Sequence, residues 1–312
     1  MKQGKIVVVM GGPSSEAEVS RRTGAAIVSA LESKGYAVEG MELDPPHFAE
    51  AIRKSDCAIV FNALHGRYGE DGVLQGTLDM LGIPYTGSGV LAAAVTMDKV
   101  MSKRVFLGAG ISTPRSETFH RFEFDAELPL RIRKAFSLPV VIKASSQGSS
   151  IGVAIVEKEE ELEAALKDAF RYDEEVLVEE FIRGKELTVA VWGDAREAQA
   201  FPVIEITTVS GRYDYASKYT KGASTHIIPA GIPADVTERV QQLAVDAFRA
   251  CGCRGVARAD MMLGEDMTPY VIEINSMPGM TETSLVPDAG RAMGVEFPEL
   301  CERILEMAGY EK

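Results

Sequence analysis

Hydrophobic positions in the first third of the chain recur with two periods, one typical of strands and the other of helices. The apolar run at residues 6–10 predicts a buried strand, and apolar or small residues then recur at helical spacing until Gly35. Ser15 and Glu18 have the spacing of a capping box, which places the N-cap of this helix at Ser15. Further strands are predicted near residues 37–43, 57–62 and 83–86. This alternation predicts a parallel sheet with ligand-binding loops at the carboxyl ends of its strands.

The pattern changes after Pro114, where strands begin to follow one another closely. Residues 175–181 and 186–192 are predicted to form a hairpin around Gly184. Other elements are predicted as strands at 138–144 and 151–156, helices at 158–171, 235–251 and the C-terminal end, a polar loop at 207–225 and a hairpin at 255–275. We therefore expect an α/β (α+β mixed) fold with three domains, at residues 1–100, 101–185 and 186–312.

Composition and charge narrow the classes of function. Apolar residues make up 46% and charged residues 25% of the chain, the balance of a folded soluble protein. The formal net charge of −13 argues against a nucleic-acid partner, because binding to a phosphate backbone requires a basic face. No apolar run reaches the roughly 18 residues of a membrane span, and the run at 6–10 is too short for a signal peptide. Cys251 and Cys253 lack CxxC spacing, so reduced thiols and a cytoplasmic location are expected.

The last predicted hairpin carries the most informative polar residues. A turn centred between residues 266 and 267 would place Asp260 opposite Glu273. The same register would place Arg258 opposite Asn275, with all four side chains on one face. Opposed carboxylates destabilise a sheet unless they are neutralised, and oxygen ligands on a rigid strand pair suit Mg²⁺ shared with substrate phosphates. The alternative is a solvated polar face.

A loop of small residues, 145–152, follows Lys143 at the end of an apolar strand. Small residues let backbone N–H groups approach an anion, and Lys143 adds positive charge at the mouth of the loop. Lys99 is a candidate second phosphate ligand. The alternatives are an ordinary hairpin turn for the loop and a solvated surface charge for Lys99.

Two further segments are candidates for binding a nucleotide or a substrate. Glu179 could accept a hydrogen bond from an adenine amine, and Glu186 could accept from ribose hydroxyls; a plain acidic hairpin is the alternative. The Gly-rich loop at 65–72 begins with His65 and follows a predicted strand, the position where ligand residues of open α/β sheets concentrate. An ordinary long loop is the alternative there.

Short motifs in a fixed order extend these observations over nearly the whole chain. They occupy residues 11–20 (GGPSSEAEVS), 65–72 (HGRYGEDG), 85–89 (YTGSG), 97–99 (MDK), 148–152 (GSSIG), 213–219 (YDYASKY), 258–260 (RAD) and 273–281 (EINSMPGMT). With these motifs the chain resembles the D-alanine–D-alanine ligase family. The resemblance implies an ATP-grasp fold with a Rossmann-like N-terminal domain and ATP held between the central and C-terminal domains.

The resemblance implies ATP and two Mg²⁺ ions as cofactors, with Mn²⁺ as an alternative metal. The metal ligands would be Asp260, Glu273 and Asn275. Lysines would bind the phosphates, Glu179 the adenine amine, backbone atoms the adenine ring and Glu186 the ribose. The nucleotide-binding residues implied in this way are Lys99, Lys143, Glu179, Phe181, Ile182, Glu186 and Lys218.

The resemblance also implies D-alanine as the small-molecule substrate. We further expect a homodimer and, from the net charge and the apolar runs, neither a nucleic-acid nor a membrane partner. Glu16 would bind the ammonium group of the first D-alanine, and Ser284 the carboxylate of the second. Arg258 and the Gly279 backbone would stabilise the oxyanion of the reaction. The complete set implied as catalytic is Glu16, Ser149, Tyr219, Arg258, Gly279 and Ser284, with His65 and Val19 close to the substrates. The loop at 207–225 would act as a lid.

Two departures from the family pattern lie in the small-residue loop. Ala144 stands where the family commonly has proline, and Ser146-Gln147 replaces a frequent Arg-Glu pair. Three alternatives stay open: a ligase that uses D-lactate or another second residue, an ATP-grasp enzyme for a different acid, and a nucleotide-binding regulator without turnover. A regulator should lack Arg258 or one of the metal carboxylates, and this chain has them all.

Overall fold

The structure is a computed structural model that describes residues 4–148, 151–208, 223–281 and 284–310. Its strands are β1 (Lys5–Met10), β2 (Ala37–Glu42), β3 (Cys57–Asn62), β4 (Ser116–His120), β5 (Val140–Ala144), β6 (Val153–Val156), β7 (Glu175–Glu180), β8 (Gly184–Gly193), β9 (Gln199–Ala200), β10 (Ile204–Thr208), β11 (Ser224–Ile227), β12 (Gly255–Gly264) and β13 (Pro269–Asn275). Its helices are α1 (Ala17–Ser33), α2 (Phe48–Lys54), α3 (Val73–Leu81), α4 (Val90–Met97), α5 (Lys99–Gly108), α6 (Leu128–Ala135), α7 (Leu162–Ala169), α8 (Ala234–Ala250), α9 (Leu285–Ala292) and α10 (Phe297–Glu306).

The N-terminal sheet has the predicted parallel arrangement. Its order is β2-β1-β3, with both pairs parallel. The central strand β1 is apolar, and Val7, Val8 and Val9 are fully buried, as a parallel sheet covered on both faces requires. Because β1 and β3 run in the same direction, the loops that follow them leave the sheet at one edge.

The predicted capping box at the start of α1 is wrong. The helix begins at Ala17 with Glu16 as its N-cap residue, one position later than Ser15, and the Glu16 side chain makes no capping hydrogen bond. Instead, Ser14 Oγ accepts a hydrogen bond from the Glu16 N–H at 3.2 Å and donates one to the carbonyl of His65 at 2.8 Å. A serine of this turn therefore attaches the start of α1 to the loop after β3.

The predicted strand near residues 83–86 is also wrong. Only single bridges form there, from Tyr85 to Val60 and to Gly309. Pro84 has no N–H group to donate, so it cannot contribute to a regular ladder on both sides. The segment consequently lies between β3 and Gly309 with one bridge to each and forms no regular strand.

The other two sheets are antiparallel. One has the order β4-β7-β5-β6, and the other has the order β11-β10-β8-β12-β13 with β9 paired to β8. The described part of the chain is therefore a mixed α/β structure with one parallel and two antiparallel sheets, in agreement with the predicted fold class.

Strands β7 and β8 do not form the hairpin predicted around Gly184. β7 pairs with β4 and β5, whereas β8 pairs with β9, β10 and β12. A Cβ atom at Gly184 would lie 1.8 Å from the carbonyl oxygen of Leu263 on β12, so glycine permits this close approach. The chain thus passes from one sheet to another, and Glu179 and Glu186 belong to different sheets.

Helix α8 covers one face of the third sheet with the predicted stripe. Val236, Val240, Ala247 and Cys251 are buried in the core, and Leu243 packs against the same core while partly exposed. In the part of the chain that the structure describes, no helix has the length and apolar composition to cross a membrane.

Strand β12 alternates between this core and the opposite face of its sheet. Ala259, Met261 and Leu263 are buried in the α8 core, whereas Arg258 and Asp260 are only half-buried. Because successive side chains of a strand point to opposite faces, the core contacts of one set turn the other set toward the polar face.

The polar loop predicted at 207–225 is shorter than expected at both ends. Thr207 and Thr208 belong to β10 and pair with Thr225 and Ser224 of β11. Residues 209–222, which include most of the predicted lid, lie outside the described residues.

Candidate active site

The register of the β12–β13 hairpin confirms the predicted juxtaposition of polar residues. Asp260 pairs with Glu273, and Arg258 pairs with Asn275. All four side chains are half-buried. The hairpin therefore presents two carboxylates, a guanidinium and an amide side by side on neighbouring strands.

A β-bulge preserves this register. Leu263 pairs with Pro269, so the turn is centred on Asp266 and is tighter than predicted. An irregularity next to Asp260 leaves Ile272 as one extra residue in β13, which restores the predicted pairing farther from the turn. Bulges are common next to active sites, where they redirect side chains.

Asp260 is held by donors from two strands. Arg258 donates to it from Nε at 2.8 Å and from Nη2 at 2.7 Å. Thr188 on β8 donates its buried hydroxyl to Asp260 Oδ1 at 2.7 Å. This bidentate ion pair orients the guanidinium as well as the carboxylate, since both partners are fixed on rigid strands.

The donor set of the hairpin suits Mg²⁺ shared with phosphates. Lys99 Nζ lies 3.7 Å from Glu273 Oε2, and Asn275 Oδ1 accepts from the Met277 N–H at 3.1 Å. Within the described ranges, no group of three or more His, Cys, Asp and Glu residues could hold a metal ion. The hairpin by itself offers the two carboxylates of Asp260 and Glu273 and the amide of Asn275. Mg²⁺ is commonly bound by one or two carboxylates, with substrate phosphates and water completing its coordination.

Lys99 connects the hairpin to the small-residue loop. Its side chain donates to the carbonyl of Gln147 at 2.6 Å, and its backbone N–H donates to the carbonyl of Ser145 at 2.9 Å. Asp98 Oδ1 accepts from the Ser145 hydroxyl at 2.9 Å. The start of α5 and the loop are therefore fixed to each other, with a lysine between the loop and the carboxylates.

Lys143 and Glu179 meet in a buried cluster that also contains Lys103. Glu179 is 1% exposed and forms ion pairs with Lys143 and Lys103. Burial raises the pKa of the Glu179 carboxyl, but the two lysines outweigh burial, so the pKa lies below its usual value. Burial lowers the pKa of Lys103 in turn, against the opposing effect of Glu179. The cluster therefore holds an ionised carboxylate inside the protein.

Glu16 lies between two loops that sequence patterns single out. A Cβ atom on Gly66 would lie 2.8 Å from Glu16 Oε2, and one on Gly148 would lie 3.2 Å from it. Val19 follows on the first turn of α1 and is half-buried. The start of α1, the loop after β3 and the small-residue loop thus converge on one carboxylate.

His65 is a buried member of the same region. Its Nε2 lies 3.2 Å from Thr23 Oγ1, and its Nδ1 lies 3.5 Å from Glu70 Oε1. Burial raises the pKa of Glu70, an effect that His65 opposes. The imidazole is therefore oriented from both ring nitrogens.

Gly279 and Ser284 lie together at the start of α9. Ser284 Oγ accepts from the Thr281 N–H at 3.1 Å, and it lies 2.8 Å from Thr281 Oγ1. A Cβ atom on Gly279 would lie 3.2 Å from Ser284 Oγ. The predicted oxyanion donor and carboxylate ligand are thus neighbours.

The remaining predicted residues fall into two groups. Phe181 and Ile182 are half-buried in the segment that links β7 to β8, and Glu186 on β8 is paired with Met262 of β12. The predictions for Ser149, Lys218 and Tyr219 concern positions outside the described residues.

Three residues with structural links to this site were missed in the sequence. Lys103 and Thr188 bind Glu179 and Asp260, and Asp173 accepts from both the N–H and the hydroxyl of Ser146, at 2.9 and 2.6 Å. Lys103 had a weak signal in the sequence, since apolar residues stand three positions before it and three positions after it, the spacing of one helix face. Thr188 and Asp173 carry no pattern that separates them from ordinary strand and loop residues.

Comparison with protein families identifies two matching regions. A family model described as "D-ala D-ala ligase C-terminus" matches residues 105–306, and one described as "D-ala D-ala ligase N-terminus" matches residues 40–88. The chain is 48% identical over 305 residues to a D-alanine–D-alanine ligase from Desulforudis audaxviator, covering 97% of this chain and 98% of the relative. It is also 48% identical over 307 residues to one from Moorella thermoacetica, with 97% and 99% covered.

Solved structures are similar over nearly the whole chain. A D-alanine–D-alanine ligase from Bacillus anthracis complexed with ATP superimposes with a TM-score of 0.83 at 33% identity, covering 98% of this chain and 97% of the other. The VanG D-Ala:D-Ser ligase from Enterococcus faecalis has a TM-score of 0.83 at 31% identity, with 98% and 99% covered. These similarities confirm the predicted ATP-grasp fold.

Proposed function

Because the chain belongs to the D-alanine–D-alanine ligase family, we propose that it joins two D-alanines into D-alanyl-D-alanine with conversion of ATP to ADP and phosphate. The dipeptide serves peptidoglycan synthesis and hence the cell wall and cell shape. The observation that carries the proposal is the polar face of β12 and β13, where Asp260 faces Glu273, Arg258 faces Asn275, and Lys99 reaches in from α5. This face combines the charges that a ligase needs for phosphate and for an oxyanion.

We assign nucleotide binding to the groups around the two antiparallel sheets. Lys99 and Lys143 offset the negative charge of the phosphates, and Lys218 is expected to join them. Glu179 accepts from the adenine amine, backbone atoms of Phe181 and Ile182 contact the ring, and Glu186 accepts from ribose hydroxyls. The ionised state of Glu179 supports this role, since a carboxylate without its proton can only accept hydrogen bonds.

The metal ligands in this proposal are Asp260, Glu273 and Asn275. Bound there, Mg²⁺ would neutralise charge on the phosphoryl oxygens. Asp260 is already bound by Arg258 and Thr188, which fixes the direction of its oxygen atoms in advance. The pairing of the two strands sets the spacing of the carboxylates.

The first step makes the substrate carboxylate reactive. A carboxylate oxygen of the first D-alanine attacks the γ-phosphorus of ATP and forms an acyl phosphate, while the bond from that phosphorus to the bridging oxygen breaks and ADP leaves. Glu16 binds the ammonium group of this D-alanine, and His65 and Val19 line its position. Glu16 is the N-cap residue of α1, and its carboxyl group is an acceptor that suits an ammonium ligand.

The second step forms the peptide bond. The amine of the second D-alanine attacks the acyl carbon, the resulting oxyanion collapses as the bond from that carbon to the phosphate oxygen breaks, and the leaving phosphate takes up the proton that the nitrogen gives up. Arg258 and the Gly279 N–H donate to the oxyanion, and donors preset in this way typically stabilise the transition state by about 3–4 kcal/mol each. Ser284, next to Gly279, binds the carboxylate of the second D-alanine.

Several expectations from the sequence complete the proposal. The lid at 207–225 closes over the acyl phosphate, since this intermediate hydrolyses in water, and Tyr219 connects it with Ser149 and Glu16. Domain boundaries near residues 100 and 185, a homodimer and action in the cytoplasm also stay predictions. The four cysteines are free thiols, which agrees with a reducing compartment.

Incubation of the purified protein with ATP, Mg²⁺ and D-alanine tests the reaction. We expect D-alanyl-D-alanine by mass spectrometry, with ADP formed in equal amount, and absence of the dipeptide would refute the proposal. Parallel reactions that add D-serine or D-lactate test the second substrate, which differs in the similar ligase from Enterococcus faecalis. Mixed dipeptide or ester as the main product would show that the second site does not prefer D-alanine.

A further inference from the structure

Lys103 is a buried lysine that the proposed reaction does not use. It lies on α5, is 3% exposed, and its Nζ is 2.5 Å from Glu179 Oε1. The same ammonium group donates to the Thr113 hydroxyl at 2.7 Å and to the Pro114 carbonyl at 3.0 Å. Three oxygen atoms from two separate parts of the chain, residues 113–114 and Glu179, therefore hold this lysine in place.

The two lysines beside Glu179 differ in how they are anchored. Lys143 lies on β5 at the mouth of the small-residue loop, where it is proposed to bind the phosphates of ATP. Lys103 donates to residues 113 and 114, in the segment before β4. This segment is itself anchored to β13, because Thr113 donates to the carbonyl of Val271 at 2.7 Å. Lys103 is therefore anchored by two oxygen atoms besides Glu179, whereas the second partner assigned to Lys143 is the phosphate group of the proposed function.

We propose that Lys103 is a positioning residue that stays paired with Glu179 when Lys143 binds the phosphates of ATP. As a permanent counterion it keeps the Glu179 carboxylate a hydrogen-bond acceptor. Lys103 thereby makes the site select a 6-amino purine over a 6-oxo purine. This inference rests on the proposed roles of Glu179 and Lys143. An ionised carboxylate accepts a hydrogen bond from an amino group but repels a carbonyl oxygen at the same position. A protonated carboxyl would donate to that carbonyl and lose the distinction.

The surroundings of Glu179 explain why one fixed lysine is needed. Among the residues that the structure describes, the charged groups that face the pair of Lys103 and Glu179 are Lys143 from β5 and, at longer range, Glu180 from β7. Strand β4, the other neighbour of β7, has Ser116 at the paired position. A carboxylate that is buried without a cation takes up a proton. Of the two lysines beside Glu179, Lys103 is thus the one that remains as its counterion when Lys143 binds the phosphates.

The inference is tested by comparing ATP with inosine triphosphate, which has a carbonyl in place of the amine. We expect the wild-type protein to prefer ATP by at least about 100-fold in kcat/KM, because a site built for one hydrogen-bond pattern rejects the other strongly. In Lys103→Met this preference should fall at least about tenfold at pH 6.5 and recover toward pH 9, since Glu179 loses its proton again. The wild-type preference should not change over this range.

Thr113→Val is the matched control. It removes a hydrogen bond from the same ammonium group but leaves the charge, so the base preference should stay within about twofold of wild type. An equal loss of preference in Thr113→Val and Lys103→Met, or a Lys103→Met ratio that matches wild type at every pH, would overturn the inference.

A second measurement uses the wild-type protein alone, in case Lys103→Met does not fold. Side-chain ¹⁵N resonances of labelled lysines, followed on addition of ATP, should show a shift for Lys143 and none for Lys103. A Lys103 resonance that moves as far as that of Lys143 would contradict a fixed counterion.

Glu179→Gln separates this inference from the proposed function. An amide both donates and accepts, so the variant should use both nucleotides alike. If wild type makes no dipeptide, the proposed reaction fails. If Glu179→Gln keeps the wild-type preference, the assignment of Glu179 to adenine fails. If Glu179→Gln loses the preference and Lys103→Met keeps it, only the role of Lys103 is wrong.

Discussion

Glu273→Gln separates a catalytic role of the paired carboxylates from a structural one. In the protein, Glu273 faces Asp260 across the strand pair, and like charges at such positions are unfavourable by about 0.2–1 kcal/mol. Its ion pair with Lys99, at 3.7 Å and with 30% of the glutamate side chain exposed, stabilises by about 0–1 kcal/mol. Because the two contributions oppose each other, the change in the free energy of unfolding should be below about 1 kcal/mol, or roughly 2–4 °C in Tm.

The effect on activity should be far larger. Glutamine keeps the size of the side chain but removes the charge that balances Mg²⁺ beside the phosphates, and loss of one preset electrostatic contact typically lowers kcat by about 100- to 1,000-fold. The assay follows ADP release with saturating D-alanine at several Mg²⁺ concentrations, with thermal unfolding measured on the same samples. Higher Mg²⁺ should restore part of the lost rate.

Glu265→Gln provides the matched control for this prediction. Glu265 is an exposed glutamate in the turn of the same hairpin, so its loss should change neither kcat nor Tm noticeably. Near-normal turnover of Glu273→Gln at ordinary Mg²⁺ would refute the metal role. A fall in Tm of more than about 10 °C would show that Glu273 is mainly structural.

Thr188→Val should destabilise the protein by about 1–3 kcal/mol in urea unfolding, because the buried hydroxyl that donates to Asp260 is lost, whereas Thr188→Ser should stay near wild type. Asp173→Ala should raise KM for ATP roughly 2- to 10-fold, since two hydrogen bonds that hold the small-residue loop are lost; the exposed Asp168→Ala is the control, and an equal KM in both would contradict this role. Burial, aided by Asp79, raises the pKa of Tyr85 to about 12, so its contribution to stability is complete below pH 10 and disappears as the pH rises toward 12. Between pH 10 and pH 12, Tyr85→Phe should therefore lose less stability than wild type, as measured by the midpoint of urea unfolding. Equal decreases of the midpoint in both proteins would contradict this prediction.

Features that depend on neighbours in the chain could be predicted from the sequence. The parallel β1-β2-β3 sheet follows from alternating periods, and the facing of Asp260 and Glu273 follows from a short hairpin whose turn limits the register. Even in this hairpin, the turn is tighter than predicted, and a β-bulge at Ile272 restores the predicted register. No rule of residue spacing anticipates such a bulge. Local periodicity is informative because burial of one face constrains every second residue of a strand.

The partners of buried charges were decided by the tertiary structure alone. Sequence patterns predicted a hairpin of β7 and β8, but these strands belong to separate sheets: β7 pairs with β4 and β5, and β8 pairs along its whole length with β12. The ion pair of Lys103 with Glu179 likewise joins a helix to a strand far along the chain. A lysine is usually solvated. Only the tertiary packing around α5 and β7 removes water from both Lys103 and Glu179, and two opposite charges that are buried in this way must pair. Periodicity determines which face of an element is buried; which charges meet there depends on how the elements pack.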